Sequence, residues 1–352
     1  METITVKASK TYNVEVGSGL LTTVGARLAL LCPAPRRVML VSDDTVFALW
    51  GEMAVTSLEA AGYTVTTFVF PHGEASKNTA TLLNLWNAMA TAKLSRSDVA
   101  VALGGGVVGD LTGFAAATYL RGIACYQIPT TLLAMVDSSV GGKTAVDLPA
   151  GKNLCGAFSQ PIGVLCDADV LQTLPADIFA EGCAEVIKYG YIGDKQLLAM
   201  LETPFQNDPV PVIARCIADK RDVVEMDEHD NGPRQLLNLG HTGGHAAEKL
   251  SDFSISHGAA VAMGMVMAAK AAVARGICKP DVPLHMENML RRYGLETECP
   301  FAASALAEAA LSDKKRRGGE VTFVFPVQLG KSELYPVPAA ELAALFSAGG
   351  AK

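Results

Sequence analysis

Three of the six histidines in this chain fall in one short stretch, His241 and His245 in NLGHTGGHAAE and His257 in SHGAAVAMGM. Neutral imidazole is the commonest protein ligand for zinc and its first-row neighbours, and a catalytic site wants three protein ligands and a vacancy. Two histidines and a carboxylate would supply them. The interval HTGGH places His241 and His245 four residues apart, so on a helix both rings leave one face. Zinc proteases use that interval with a glutamate directly after the first histidine; Thr242 stands there, which excludes the peptidase. The competing reading is three ordinary polar groups on buried helices.

Other residues could hold anions. Gly104, Gly106 and Gly109 in LGGGVVGD satisfy GxGxxG between a strand and the helix DLTGFAAATYL. Glycines there let backbone N–H groups approach a pyrophosphate, and the helix N-terminus adds favourable partial charge. The motif departs from the dinucleotide fingerprint because it follows the third or fourth strand, and no acidic residue ends a strand about twenty positions later. Asp43 or Asp44, closing RRVMLVSDD, is the alternative ribose partner; a purely structural glycine turn is the competing reading. VDSSVGGKT has Asp137 where a P-loop needs glycine, which excludes a nucleoside triphosphatase. What survives is a glycine turn presenting Lys143, then Lys152 and Asn153 in GKN, two cations and an amide suited to a phosphate or cofactor. PHGEASK adds Glu74 and Lys77 in a turn. In GCAEVIKYG, Glu185 and Lys188 share a helix face, and the apolar neighbours Ala184, Val186 and Ile187 argue that the pair points into a site, not to solvent. Lys220, Arg234 and Asn238 precede His241, and SDKKRR supplies Lys314 and Lys315, with Arg316 and Arg317 as solvated charge.

These residues need a scaffold. From residue 1 to about 175, strand and helix alternate: RRVMLVSDD, the helix VFALWGEMAVTSLEAAG ending at Gly62, YTVTTFVF, the helix NTATLLNLWNAMATAKL, then DVAVALGGG. That rhythm predicts an α/β domain with a mainly parallel sheet. Residues 176–352 turn to Ala-, Leu- and Met-rich helical stretches with one late strand pair, EVTFVFPV and KSELYPV, which predicts a mainly α-helical second domain. The 352 residues are half hydrophobic, enough for two cores. A net charge of −7, with no basic block interleaved with aromatics, argues against a nucleic-acid surface. The eight cysteines form no CxxC pair, as expected of free thiols in a reducing compartment. The alternating start METITVKASKTYNVEV lacks the apolar core of a signal peptide, and the longest apolar run, 258–269, is short for a bilayer. A cytosolic protein without a membrane span is the expectation.

In order along the chain, GGGVVGDLTGFAAATYLRG, IPTTLLAMVDSSVGGKTAVDLPAGKN, GAFSQP, LPADIFAEGCAEVIKYG, RQLLNLGHTGGHAAE, HGAAVAMGMVMAA and SDKK together closely resemble the 3-dehydroquinate synthase family of sugar-phosphate cyclases. The resemblance implies a Rossmann-like N-terminal domain and an α-helical metal-binding C-terminal domain, with NAD and Zn2+ or Co2+ as cofactors. It makes Glu185, His241 and His257 the metal ligands and moves His245 to the substrate. It assigns NAD to Asp43, Glu74, Lys77, the segment Gly105, Gly106, Val107, Val108, Gly109 and Asp110, and to Thr130, Thr131, Asp137, Lys152 and Thr173. A phosphosugar substrate would meet Lys143, Asn153, Lys188, Lys220, Arg234, Asn238, His245 and Lys315, with Arg121 reaching in from a partner subunit, which implies a homodimer.

The implied reaction is transient oxidation of a heptulosonate phosphate, β-elimination of phosphate, re-reduction, ring opening and intramolecular aldol closure. Another sugar-phosphate cyclase or a metal-dependent polyol dehydrogenase are the alternatives; Lys143, Lys188, Arg234 and Lys315, suited to elimination and aldol chemistry, argue against the dehydrogenase. Three departures stand out: His72 where the family turn reads PDGE, Gly243 where GHTFGH has an aromatic, and Ala259 where HGEAVA has a carboxylate. Ala259 is expected to disturb the support of His257, and Gly243 to loosen the site.

Overall fold

The computed structural model describes residues 1–34, 36–313 and 319–352. Two compact units form, one from Met1–Leu174 with Pro209–His229, the other from Pro175–Asp208 with Asp230–Lys352.

The first unit is built on a seven-stranded sheet. Strands β1 (Glu2–Lys7) and β2 (Thr11–Gly17) pair antiparallel at one edge, and β2 then runs parallel to the remaining five, β3 (Arg37–Asp43), β4 (Thr64–Phe70), β5 (Val99–Gly104), β6 (Ala124–Pro129) and β9 (Gly163–Asp167). The order is β1-β2-β9-β6-β5-β3-β4. All of VAVALG in β5 is buried, because helices cover both faces of a parallel sheet, and such strands lose the alternation of a half-exposed one. Helices α1 (Val24–Leu31), α2 (Glu52–Ala60), α3 (Thr79–Thr91) and α4 (Gly106–Thr118) provide the cover. Met39, Val41, Leu85, Ala100 and Leu111 lie in one core cluster. Chain order reverses at β3: the chain steps from β3 outward to β4, then returns to β5 on the opposite side of β3. The carboxyl ends of β3 and β5 therefore flank a topological switch point, where open α/β sheets bind ligands.

The segment 137–153, expected to be a glycine turn, continues into an antiparallel hairpin, β7 (Lys143–Leu148) with β8 (Gly151–Phe158). The register shifts between Val146 and Leu148, so Asp147 sits at a bulge.

The second unit begins with α5 (Ala176–Ile192), after which the chain returns to the first unit as α6 (Val210–Met226). A single division near 175 puts α6 in the second unit. Its apolar stripe, Val212, Ile213, Cys216, Ile217 and Val224, instead finds cover on β1, β2 and the turn Ala134–Ser138. Beyond it, Glu225 accepts the N–H of Lys7 at 2.7 Å and Glu228 that of Ser9 at 2.8 Å.

The rest of the second unit is helical, as the composition predicts: α7 (His241–Leu250), α8 (His257–Ala274), α9 (Val282–Arg292), α10 (Ala303–Asp313) and α11 (Leu342–Ala348), with the hairpin β10 (Glu320–Gln328) and β11 (Lys331–Pro338) matching the late strand pair. Helix α8 is long and apolar enough to cross a bilayer, and most of it is buried as a core helix.

Helices α7 and α8 pack closely against each other. A Cβ added to Gly264 would fall 1.9 Å from the Gly240 carbonyl oxygen, and one on Gly244 would fall 2.9 Å from that of Ala260. Side-chain size at the contact sets interaxial distance, so these glycines bring the two histidine-bearing helices together. Gly264→Ala is expected to cost at least about 3 kcal/mol through overpacking. Gly276→Ala, at φ +69° with open space around it, should cost only the left-handed penalty of about 1–2 kcal/mol. Urea unfolding of the metal-free variants checks the order, and equal losses would contradict it.

Candidate functional site

In the second unit Glu185 is fully buried within the apolar middle of α5. Its carboxylate pairs with the buried ammonium of Lys188, one turn on. Two rings approach the same carboxylate: Oε1 lies 3.6 Å from His241 Nε2 and 3.4 Å from His257 Nε2. Both histidines open their helices, His241 after the left-handed Gly240 and His257 after Ser256. Nδ1 of His241 lies 3.2 Å from the Leu239 carbonyl oxygen. A carbonyl only accepts, so Nδ1 carries the proton and the Nε2 lone pair faces Glu185. Two acceptors then confront each other across a gap that a cation resolves. Tetrahedral zinc with nitrogen and oxygen ligands at about 2.0–2.1 Å separates its donors by about 3.3 Å, close to the distances here. The donor set therefore fits a divalent metal.

Glu248 completes the arrangement, its Oε2 lying 3.5 Å from His257 Nδ1. It lies one turn beyond His245 on α7 and is buried. His245, Glu248 and His257 could also group around a metal. The first triplet leaves Glu248 as the outer carboxylate that orients a ligating histidine. Burial, then the Lys188 ammonium, hold the His241 pKa well below its ordinary value. Burial also disfavours charge on His257, but contact with Glu185 and Glu248 outweighs it and raises its pKa to about 10.

Of the other expected residues in this unit, Arg234 is buried in the turn Pro233–Asn238, which Asn238 ends half-buried. His245 stands with its ring centroid 5.2 Å from that of His241 and 6.0 Å from that of His257. Lys315 lies outside the described residues.

Two departures are absorbed by residues distant in sequence. The expected loosening at Gly243 does not occur: a Cβ there would meet Met267 Cε at 2.8 Å and Phe346 Cε1 at 3.3 Å, so Met267 of α8 and Phe346 of α11 fill the space. The expected loss of support for His257 at Ala259 does not occur either, since Glu248 provides a carboxylate at its Nδ1.

In the first unit the switch point gathers much of the expected dinucleotide set. Asp43 ends β3, next to the glycines that end β5, because Ser42 pairs with Leu103. The acidic residue missing downstream of GxGxxG thus comes from the neighbouring strand. Asp43 also accepts the Val46 N–H at 2.8 Å. Gly105 caps α4, which opens with Gly106, Val107, Val108, Gly109 and Asp110. Part of the glycine pattern is packing: a Cβ on Gly104 would strike Val108 at 2.4 Å, and one on Gly109 the Gln127 amide at 2.9 Å. Thr130 N–H donates to the Gly104 carbonyl at 3.0 Å, and Thr131 Oγ1 accepts the Ala134 N–H at 3.1 Å. Thr173 Oγ1 accepts the Trp50 indole N–H at 3.3 Å. His72 pairs with Asp44, its Nδ1 2.7 Å from Oδ1, and that bond holds the Asp44 carboxyl below its usual range.

Residues expected to serve different ligands meet directly. Lys77, buried, lies 2.7 Å from both Asp110 Oδ2 and Asn153 Oδ1. Lys220 on α6 donates to the Asp137 carboxylate and main-chain carbonyl. Lys143 opens β7 exposed, Lys152 is half-buried in β8 with its charge acting on Glu74, and Arg121 is exposed with φ +67°. Glu248, Trp50 and Asp147 were not singled out from sequence. An HxxE interval from His245 could have flagged Glu248; no local pattern marks the other two.

Residues 67–181 match the family model for the N-terminal part of 3-dehydroquinate synthase, and residues 182–316 that for its C-terminal part. The 3-dehydroquinate synthase of Nostoc punctiforme is 44% identical over 333 residues, covering 91% of this chain and 92% of that protein. Among solved structures, 2-epi-5-epi-valiolone synthase from Streptomyces hygroscopicus subsp. jinggangensis, with NAD+ and Zn2+ bound, matches with TM-score 0.87 and 25% identity over 99% of both chains. A 2-deoxy-scyllo-inosose synthase complexed with carbaglucose-6-phosphate, NAD+ and Co2+ matches with TM-score 0.84 and 25% identity, covering 98% of this chain and 99% of that one. The chain belongs to the 3-dehydroquinate synthase family.

Proposed function

We propose that this protein converts 3-deoxy-D-arabino-heptulosonate 7-phosphate to 3-dehydroquinate and inorganic phosphate, with NAD and Zn2+ or Co2+ as cofactors. The observation that carries the reading is the convergence of Glu185, His241 and His257 at metal-ligand separations, in a chain whose 44% identical relative is a 3-dehydroquinate synthase. Bound NAD would supply reversible hydride acceptance, and a bound divalent metal would supply polarisation of the substrate hydroxyl.

The chain's own residues do the rest. Glu185, His241 and His257 hold the metal; Lys188 balances the buried Glu185 charge, and the Leu239 carbonyl keeps the His241 proton on Nδ1. Asp43, Glu74, Lys77, Gly105 to Asp110, Thr130, Thr131, Asp137, Lys152 and Thr173 hold NAD at the switch point of the first unit. Lys143, Asn153, Lys188, Lys220, Arg234, Asn238, His245 and Lys315 serve the substrate. Arg234, locked by burial, is a preorganised cation for developing negative charge. A cytosolic homodimer completes the reading; eight free cysteines suit a reducing compartment, and Arg121 is exposed to reach a second copy.

Purified protein with catalytic NAD, zinc and the heptulosonate phosphate should release inorganic phosphate and form 3-dehydroquinate. No phosphate release with metal and NAD bound would sink the reading, and net NADH accumulation from simple polyols would favour a dehydrogenase.

Metal content separates ligands from neighbours. Glu185→Ala and His257→Ala should lose stoichiometric zinc by elemental analysis, whereas His245→Ala should retain it; loss from all three equally would mean the ligand set is wrong.

Proton and metal compete for His257. Its pKa rises from 6.5 to about 10 on folding, so the stability contributed by its protonated form is complete below pH 6.5 and lost as pH climbs through 10. Metal-free protein should therefore melt at progressively lower temperature across that window relative to metal-free His257→Ala, while the gain on adding zinc to wild type grows. Parallel melting curves for the two metal-free proteins would contradict the assignment.

A further inference from the structure

Lys77 is the buried cation of the first unit's dinucleotide set, and its position depends on a residue outside that set. Asn153, which receives the Lys77 ammonium at 2.7 Å, holds φ at +56°, a left-handed conformation that asparagine tolerates better than most non-glycine residues. Asp147 lies opposite, at the bulge of the β7–β8 hairpin. Its Oδ1 accepts the Asn153 N–H at 2.7 Å, and its own N–H donates to the Lys77 carbonyl at 2.8 Å. An isolated bridge between Asn78 and Asp147 extends that contact. One residue thus ties the hairpin to the main chain of the turn at 74–77 while fixing the Asn153 side chain on the Lys77 ammonium, which also pairs with Asp110 of α4 and, at 3.9 Å, with Glu74.

We propose that Asp147 is a positioning residue for NAD, acting through Asn153 to hold Lys77 in place against α4. The proposal rests on the reading that the first unit binds NAD. The irregular register gives it a physical basis: Val146 pairs with Cys155 but Leu148 with Gly151, so residues 152–154 of β8 stand opposite Asp147 alone, and the Asn153 N–H meets its carboxylate there. The acceptor oxygen carries the contact, because the bond needed is a backbone N–H to a side-chain oxygen on a planar group; the carboxylate charge also acts on Glu74 and Lys77. Asparagine provides the same oxygen at the same reach.

The test is NAD affinity of the zinc-loaded protein, read by calorimetry, with zinc content as the control for the second unit. Asp147→Ala should weaken NAD about tenfold, the loss expected when one hydrogen bond goes. Asp147→Asn should restore binding to within about twofold of wild type, and Asp147→Glu, which keeps the charge but moves the oxygen, should not. In an Asn153→Ala background the alanine change at 147 should add less than about twofold, since its route to Lys77 is already cut. If Asp147→Ala is not recovered folded, the Asn and Glu variants decide alone. Unchanged affinity in Asp147→Ala, wild-type affinity in Asp147→Glu with loss in Asp147→Asn, or full additivity with Asn153→Ala would each overturn the proposal. Failure of wild type to bind NAD would instead remove the reading beneath it.

Discussion

The second unit is organised around one electrostatic problem, a carboxylate with no exposure to solvent. Water cannot stabilise Glu185, so the protein must, and it does so with Lys188 on the same helix and His257 on α8, while the His241 lone pair leaves a gap that a cation would fill. Leaving a buried charge uncompensated costs about 3–5 kcal/mol, more than any surface ion pair returns. That figure explains the company Glu185 keeps. The surrounding turns of α5 are apolar because they must seal the site, and α7 and α8 meet through glycines because ordinary side chains would hold their histidines too far apart.

The first unit meets a different constraint, set by topology. A dinucleotide needs backbone N–H groups and a nearby carboxylate at the carboxyl ends of parallel strands, and a sheet offers such a crevice only where its winding reverses. Here the reversal lies between β3 and β5, so the carboxylate precedes the glycines by some sixty residues in the chain yet adjoins them in the sheet. The usual one-directional spacing rule assumes that the glycine strand comes first. When β3 comes first instead, the same crevice forms with the motif order inverted.

What could be read from sequence follows the range of the interactions involved. Helix periodicity exposed the Glu185–Lys188 pair, and strand alternation exposed the β10–β11 hairpin, because both patterns repeat within a few residues. The resemblance supplied the grouping of Glu185 with His241 and His257; residue spacing alone favoured His245, four residues from His241 on the same helix. Spacing within α7 could not show that Glu185, on a helix distant in sequence, lies 3.6 Å from His241, nor that His257 of α8 stands beside both His241 and His245. The assignment of α6 to the first unit was not legible, since an amphipathic helix advertises an apolar stripe but not the surface that will cover it. Asp147 was invisible for a related reason: a bulge is a mismatch between two strands, and neither strand shows it alone.

The departures from the family pattern follow the same logic and suggest how such sites tolerate change. Glycine at 243 is matched by Met267 and Phe346, distant in sequence, which already occupy the space a side chain at 243 would enter. Histidine at 72 is matched by Asp44, which binds both its ring and its N–H and would repel a second carboxylate there. Alanine at 259 is tolerated because Glu248 already holds the outer nitrogen of His257. In each case the conserved quantity is a filled volume or a balanced charge at a point in space, not a residue at a point in the chain. A close-packed interior enforces the first and a low dielectric the second. A motif that looks incomplete in sequence is therefore no argument against a site until the residues packed against it have been counted.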